Sequence, residues 1–141
     1  MLKGVNWVAV IVATVLLEIL GYLWFGPLFG RAWMAAMGHD VTSANGDLLM
    51  AIGVVNTFVC VTGLAWLINR VGAASLGAAV MTSVAAWFFF SLTTQSLEYL
   101  YMGMSLSLLQ INASYQLVAF VLAGATLNLV KLGAPAQAAA A

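Results

Sequence analysis

The chain has 141 residues, of which 65% are hydrophobic and 6% are charged, and its formal net charge is zero. Soluble domains carry about a quarter charged residues, so this chain has too few polar side chains to cover a surface that faces water. A balanced charge without a clustered basic face excludes a nucleic-acid-binding footprint. One cysteine and one histidine exclude an intrachain disulfide and a zinc site built from several such ligands, and we expect no cofactor.

Four apolar stretches are long enough to cross a bilayer, which takes about 20 helical residues. They are residues 5–25, 48–68, 73–97 and 106–130. Helices are expected because lipid forces every backbone polar group to be paired internally, and the stretches lack the alternation of barrel strands. The sequence therefore predicts an all-α membrane protein, a four-transmembrane-helix bundle over residues 1–132 with a short interfacial segment after the first helix. Residues 133–141 form a predicted flexible, Ala-rich tail.

The segment WFGPLFGRAWM, residues 24–34, begins at the last two residues of the first span and continues beyond it. Gly26 and Pro27 are expected to end that helix. The segment is rich in aromatic side chains, which favour the membrane–water interface. Its predicted interfacial motif consists of Trp24, Phe25, Pro27, Phe29, Gly30 and Trp33.

The basic residues suggest an orientation in the membrane. An even number of spans puts Lys3, Arg70 and Lys131 on one side and Arg31 on the other. Because cytoplasmic loops carry the excess of Lys and Arg, we predict a multi-pass protein of the cell (inner) membrane with both termini in the cytoplasm.

Polar residues inside the spans are expected to face one another, because a polar group facing lipid is costly. Helical depth, at about 1.5 Å per residue, places them in the outer half of the bundle. The predicted polar cluster consists of Glu18, Arg31, Asn56, Gln95, Glu98, Asn112, Tyr115 and Gln116. Arg31 is the cation nearest the two acids of the cluster, so we expect it to fold back and pair with Glu18 or Glu98.

Glu18 admits two interpretations. It is a proton relay or a ligand's counter-charge, or it is a structural group, paired with Arg31 or hydrogen-bonded as a neutral acid. The structural interpretation is favoured because no second acid lies at the same depth. A further open choice concerns the small residues at the start of the third span (Gly72, Ala73, Ala74, Gly77 and Ala78), which suit close helix packing within the bundle or between protomers.

Two segments carry a resemblance to a known family. LWFGPLFGRAWM follows the first span, and INASYQLV begins within the last. In these segments the chain resembles the "domain of unknown function 1761" family of small bacterial integral membrane proteins. The matching positions are Trp24, Phe25, Pro27, Leu28, Phe29, Gly30, Arg31, Ala32, Trp33 and Met34, then Ile111, Asn112, Ala113 and Tyr115. The family carries no established activity, so the resemblance implies an architecture and leaves the function open.

Three functions are compatible with the sequence. The favoured one is a non-enzymatic membrane protein that acts as a homo-oligomer or as an auxiliary subunit of a larger membrane complex. The second is a carrier or binder of a small amphipathic or lipid-like ligand, or a proton-linked permeation unit, that uses the polar cluster. The third is an enzyme with Glu18 and Glu98 as an acid/base pair, which their difference in predicted depth, roughly 10 Å, argues against.

Overall fold

The computed structural model describes residues 2–38 and 45–132 of the chain. Within these ranges all regular structure is helical, and four helices are long and apolar enough to cross a membrane. These are Trp7–Leu28, Gly46–Arg70, Leu76–Met102 and Leu106–Leu129. The predicted all-α fold with four transmembrane helices is therefore confirmed. The predicted tail over 133–141 lies outside the described residues.

Two of the four spans are continuous but irregular. The α-helices are α1 (Trp7–Leu23), α2 (Gly30–Met37), α3 (Gly46–Arg70), α4 (Leu76–Ala86), α5 (Thr93–Tyr101) and α6 (Leu106–Leu129). A π-helical turn, Trp24–Leu28, extends α1 to the end of the first span. A second one, Trp87–Leu92, joins α4 to α5 within the third span, and we call it the mid-span π turn.

Three asparagines tie the helix ends together at one end of the bundle. Each donates through its side-chain amide to a backbone carbonyl of another segment: Asn6 to Val130 (2.8 Å), Asn69 to Gly4 (3.0 Å) and Asn128 to Ala74 (3.0 Å). Such bonds satisfy carbonyls near helix ends that lack intrahelical partners. We call this the asparagine end and the opposite one, where α2 lies, the α2 end.

The closest helix contact joins α4 to α6. Ser83 is fully buried on α4 and donates to the carbonyl of Ala79 at 2.8 Å. A Cβ atom at Gly124 of α6 would overlap the Ser83 hydroxyl and lie 3.1 Å from the Ala79 carbonyl oxygen. The lack of a side chain at Gly124 therefore lets the two backbones approach, as small residues do in membrane helices.

Helix α3 packs mainly on α1, and its buried residues all lie in the half toward the asparagine end. There it buries Val61, Leu64, Ala65 and Ile68. Residues 46–56, its half toward the α2 end, are all exposed. The bundle is therefore closed at the asparagine end and open along α3 toward the α2 end.

The first helix does not end at Gly26 and Pro27, which corrects the prediction from the sequence. Proline has no N–H to donate to the carbonyl four residues earlier, and here the helix widens into a π turn. The Phe29 N–H bonds to the carbonyl of Trp24 at 2.8 Å, five residues back. The chain then bends at Gly30, where a Cβ atom would lie 2.7 Å from the Phe25 carbonyl oxygen.

We predict that Gly124→Ala destabilises the bundle by about 1–3 kcal/mol, the usual cost of overpacking a tight contact. Thermal unfolding in detergent, followed by helical circular dichroism, measures the effect. Gly63→Ala is the matched control, because a Cβ atom there meets nothing within 4 Å. Equal stability of the two variants would contradict the close α4–α6 contact.

Candidate functional site

Four polar side chains lie at one depth near the middle of the membrane spans. Glu18, Asn56, Ser91 and Gln116 stand ten or eleven residues from the α2 end of their respective spans, which is about 15 Å of helical rise. Measured from residue 25, the predicted end of the first span, Glu18 would lie only about 10 Å deep, so it is deeper than the sequence indicates. The reason is that the first span continues through its π turn to Leu28.

A cleft of about 460 Å³ opens at this level between α3 and the mid-span π turn. Its floor is α6, with Leu17 of α1 beside it. The lining is polar toward the α2 end and apolar toward the asparagine end. The polar part comprises Asn56, Thr57, Ser91, Tyr115 and Gln116, and the apolar part comprises Leu17, Val61, Leu64, Ala86, Ala119 and Ala123. Cys60, Phe90 and Phe120 complete the walls.

Gln116 is held in place from the opposite wall of the cleft. The Ser91 hydroxyl, in the mid-span π turn, donates to the side-chain oxygen of Gln116. A buried polar side chain in lipid needs such a partner. The π turn thus brings a hydroxyl to the one amide on the floor of the cleft, and π-helical turns are frequent at functional sites.

A second polar pair joins the same two spans closer to the α2 end. The side-chain amide of Asn112 donates to the Tyr99 hydroxyl at 2.6 Å. Gln95 lies between the pairs at helical spacing, four residues from Ser91 and from Tyr99, so the three side chains share a face. Within the described residues the Gln95 side-chain oxygen is buried without a hydrogen-bond partner.

Tyr115 connects the cleft to Glu18. Its hydroxyl lies 3.2 Å from where a Cβ atom of Gly21 would stand, and its ring centroid lies 4.8 Å from that of Phe25. Glu18 precedes Gly21 by three residues and so lies on the same side of α1, within electrostatic reach of Tyr115. Glu18 is half-buried, and among the described residues it has no hydrogen-bond or ion-pair partner.

Two members of the predicted cluster do not join the others. Arg31 and Glu98 are exposed, and within residues 2–38 and 45–132 neither forms an ion pair. The predicted pairing of Arg31 with an acid is therefore wrong. Helix α2 turns Trp33, Ala36 and Met37 toward the bundle, and Ser105 fixes it by donating to the Ala36 carbonyl at 3.1 Å. Arg31 is two positions from Trp33, so it points away from the bundle.

Part of the interfacial motif packs against other helices instead of facing the membrane surface. The Trp24 indole donates to the carbonyl of Ile111 at 3.3 Å. Phe25 packs on Trp33, with ring centroids 5.4 Å apart, in an edge-on geometry. The aromatic side chains around the bend therefore attach the first span to α6 and to α2.

Sequence reasoning missed the wall of the cleft formed by Thr57 and Cys60, and the role of Tyr99 as partner of Asn112. Cys60 follows Asn56 by four residues, so the spacing alone placed both on one face. Tyr99 lies near a predicted span end, where a tyrosine is typical of the membrane interface, so its sequence position does not indicate a partner. In the part of the chain that the structure describes, no three His, Cys, Asp or Glu side chains are grouped so as to hold a metal ion. The chemistry the cleft offers is hydrogen bonding at one end and apolar contact at the other.

We predict that Tyr99→Phe lowers the free energy of unfolding by about 0.6 kcal/mol, and by no more than roughly 1.7 kcal/mol, the measured range for hydrogen bonds between membrane helices. Tyr101→Phe is the control, because Tyr101 is 83% exposed. A double-mutant cycle with Asn112→Ala isolates the pair. A coupling energy of zero would contradict the bond.

The comparisons with known proteins give a family and no named function. The family described as "Protein of unknown function (DUF1761)" matches residues 8–128. This range includes all four spans apart from Trp7 and Leu129. No curated protein and no solved structure matches the chain. The match extends over far more than half of the chain, and it includes both of the segments that carry the resemblance. The chain belongs to the DUF1761 family of proteins of unknown function.

Proposed function

We propose that the protein binds one single-chain amphipathic molecule from the bilayer in the cleft between α3 and the mid-span π turn. The observation that carries the proposal is the polarity gradient of the cleft, polar at Asn56 and Gln116 and apolar at Leu64 and Ala123. A head group with hydrogen-bonding atoms fits the first end, and a hydrocarbon chain fits the second.

The size and opening of the cleft support this proposal. A volume of about 460 Å³ falls within the roughly 300–1,000 Å³ of ligand pockets. Helix α3 leaves its residues 46–56 exposed next to the opening, so a molecule in the surrounding lipid has a lateral route to the cleft. Membrane transporters also place their binding sites near the middle of the bilayer.

Binding without chemistry is the more economical role for these residues. An acid/base pair needs both groups within hydrogen-bond reach of one substrate. Glu98 lies four residues from the α2 end of its span, so Glu18 and Glu98 differ in depth by about 9 Å.

Location in the cell (inner) membrane and cytoplasmic termini stay predictions, supported by Lys3, Arg70 and Lys131 at the asparagine end.

Cys60 provides a native reporter, because it is the one cysteine of the chain and it lines the cleft. We predict that dodecanol slows alkylation of Cys60 by a membrane-permeant maleimide in lipid nanodiscs. At ten times its Kd the alcohol leaves about a tenth of the sites free, so the rate should fall about tenfold. Gln116→Leu should weaken this protection.

The matched control moves the thiol by one residue. In the double variant Cys60→Ser, Val59→Cys the thiol sits on a side chain position that is 62% exposed and does not line the cleft. Its alkylation rate should not respond to dodecanol. Equal slowing at both positions would show a general effect on the bilayer and contradict a binding site in the cleft.

A homo-oligomer is the second candidate, and one observation favours it. Three small side chains at the start of the third span do not pack within the bundle, whereas their neighbour Ala73 packs against its core. Ala74, Gly77 and Ala78 are exposed, and a Cβ atom at Gly77 meets nothing within 4 Å. Their spacing of three and four residues forms the kind of surface through which membrane helices pack closely.

Native mass spectrometry from nanodiscs tests this second candidate. We predict a dimer or larger assembly that Gly77→Leu converts to monomer, because the leucine side chain holds the helices apart. Gly63→Leu on α3 is the control, since a Cβ atom at Gly63 also meets nothing within 4 Å. A wild-type protein that is monomeric at every concentration would contradict the candidate.

A further inference from the structure

We infer that the amphiphile is cationic, a single-chain molecule with a protonated amine head, and that Glu18 supplies its counter-charge beside Tyr115 and Gln116. This inference rests on the proposed binding function and specifies its ligand class. The apolar lining of the cleft accommodates the hydrocarbon chain of the ligand. The charged residues around the cleft determine which charge the head group carries.

The charged residues of the described chain are distributed asymmetrically around the cleft. Lys3, Arg70 and Lys131 lie at the asparagine end, and Arg31 is exposed on α2. None of them lines the cleft. An anionic head group at mid-depth would therefore have no cation to pair with, and desolvated charges without partners are strongly disfavoured.

Glu18 is the one acid of the described chain at the depth of the cleft's polar end. Asp47 stands in the first turn of α3, and Glu98 is exposed near the α2 end. Glu18 does not itself line the cleft, but its neighbour Leu17 does, and so does Tyr115, with which Glu18 interacts electrostatically. An acidic side chain inside a membrane span marks a ligand counter-ion or an ion pathway.

The polar groups that line the cleft toward the α2 end suit a hydrogen-bond donor. A primary ammonium carries three N–H donors and no acceptor. The hydroxyl of Tyr115 and the side-chain oxygens of Asn56 and Gln116 are acceptors, and all three residues line the polar end of the cleft. Bonds from an ammonium to a carboxylate and to neutral oxygens are charge-assisted and stronger than neutral ones.

The positions of the lining residues give the bound molecule a direction. From Gln116 to Ala123, α6 runs toward the asparagine end and its cleft face changes from polar to apolar. On α3 the same change runs from Asn56 to Leu64. The head therefore lies at mid-depth, and the chain extends toward the asparagine end.

The test compares three compounds that share a twelve-carbon chain and differ in the head group: dodecylammonium, dodecanol and dodecanoate. Protection of Cys60 from alkylation is measured in nanodiscs of zwitterionic lipid, as a function of the amount of each compound in the bilayer. We expect dodecylammonium to protect at about a tenfold lower concentration than dodecanol, as one additional charge-assisted contact provides. Dodecanoate should protect least.

The variant Glu18→Gln separates the interaction with the head group from binding of the ligand's hydrocarbon chain in the cleft. In this variant the advantage of dodecylammonium should disappear, while dodecanol binds as it does to the wild-type protein. Glu98→Gln is the control, because it removes an acid that is exposed and lies about 9 Å closer to the α2 end than Glu18, and it should leave the binding of all three compounds unchanged. If Glu18→Gln lowers the helical content, the inference is tested by the wild-type protein alone, through the order in which the three compounds protect Cys60.

The outcomes distinguish the two proposals. Equal protection by the three compounds, or stronger protection by dodecanoate, overturns the inference of a cationic ligand and leaves the binding function intact. An unchanged preference in a folded Glu18→Gln variant overturns the assignment of the counter-charge. Protection by none of the compounds contradicts the binding function itself, and with it the inference.

Discussion

The contact between Gly124 and Ser83 brings the third and last spans together at the asparagine end, and the shape of the bundle depends on it. With α4 held against α6 there, and α3 held against α1 by Val61 and Leu64, the bundle is closed on that side. Nothing comparable in the described chain draws α3 toward the mid-span π turn. The cleft is the space left where α3 diverges toward the α2 end, while the first and third spans stay attached to α6 there.

The bilayer then determines what this space contains. Polar side chains in hydrocarbon must find partners, and the mid-span π turn provides one by presenting Ser91 to Gln116. Tyr99 and Asn112 satisfy each other one step closer to the α2 end. Glu18 is left beside Tyr115 with no ion-pair partner among the described residues, so it is the group in the membrane core best placed to act on a ligand.

Composition and span length were enough to predict the architecture. The residues of the site could be predicted from the sequence only in part. Asn56, Tyr115 and Gln116 do line one cleft, as inward-facing polar groups should. Arg31 failed as a partner because the orientation of α2 depends on the Ser105–Ala36 hydrogen bond, which links positions 69 residues apart. The mid-span π turn contains no proline and has no sequence signature that we recognise. The divergence of α3 likewise depends on tertiary packing, which no local pattern encodes.

We propose that a cationic single-chain molecule lies in the cleft with its head at mid-depth. Solution NMR of the isotopically labelled protein in nanodiscs with dodecylammonium tests it most directly, through intermolecular NOEs. We expect NOEs from the hydrocarbon chain of dodecylammonium to the methyl groups of Val61, Leu64 and Ala123. We also expect NOEs from the methylene next to the nitrogen to the side-chain amide of Gln116. NOEs confined to the exposed methyl groups of Val55 and Val59 would contradict it.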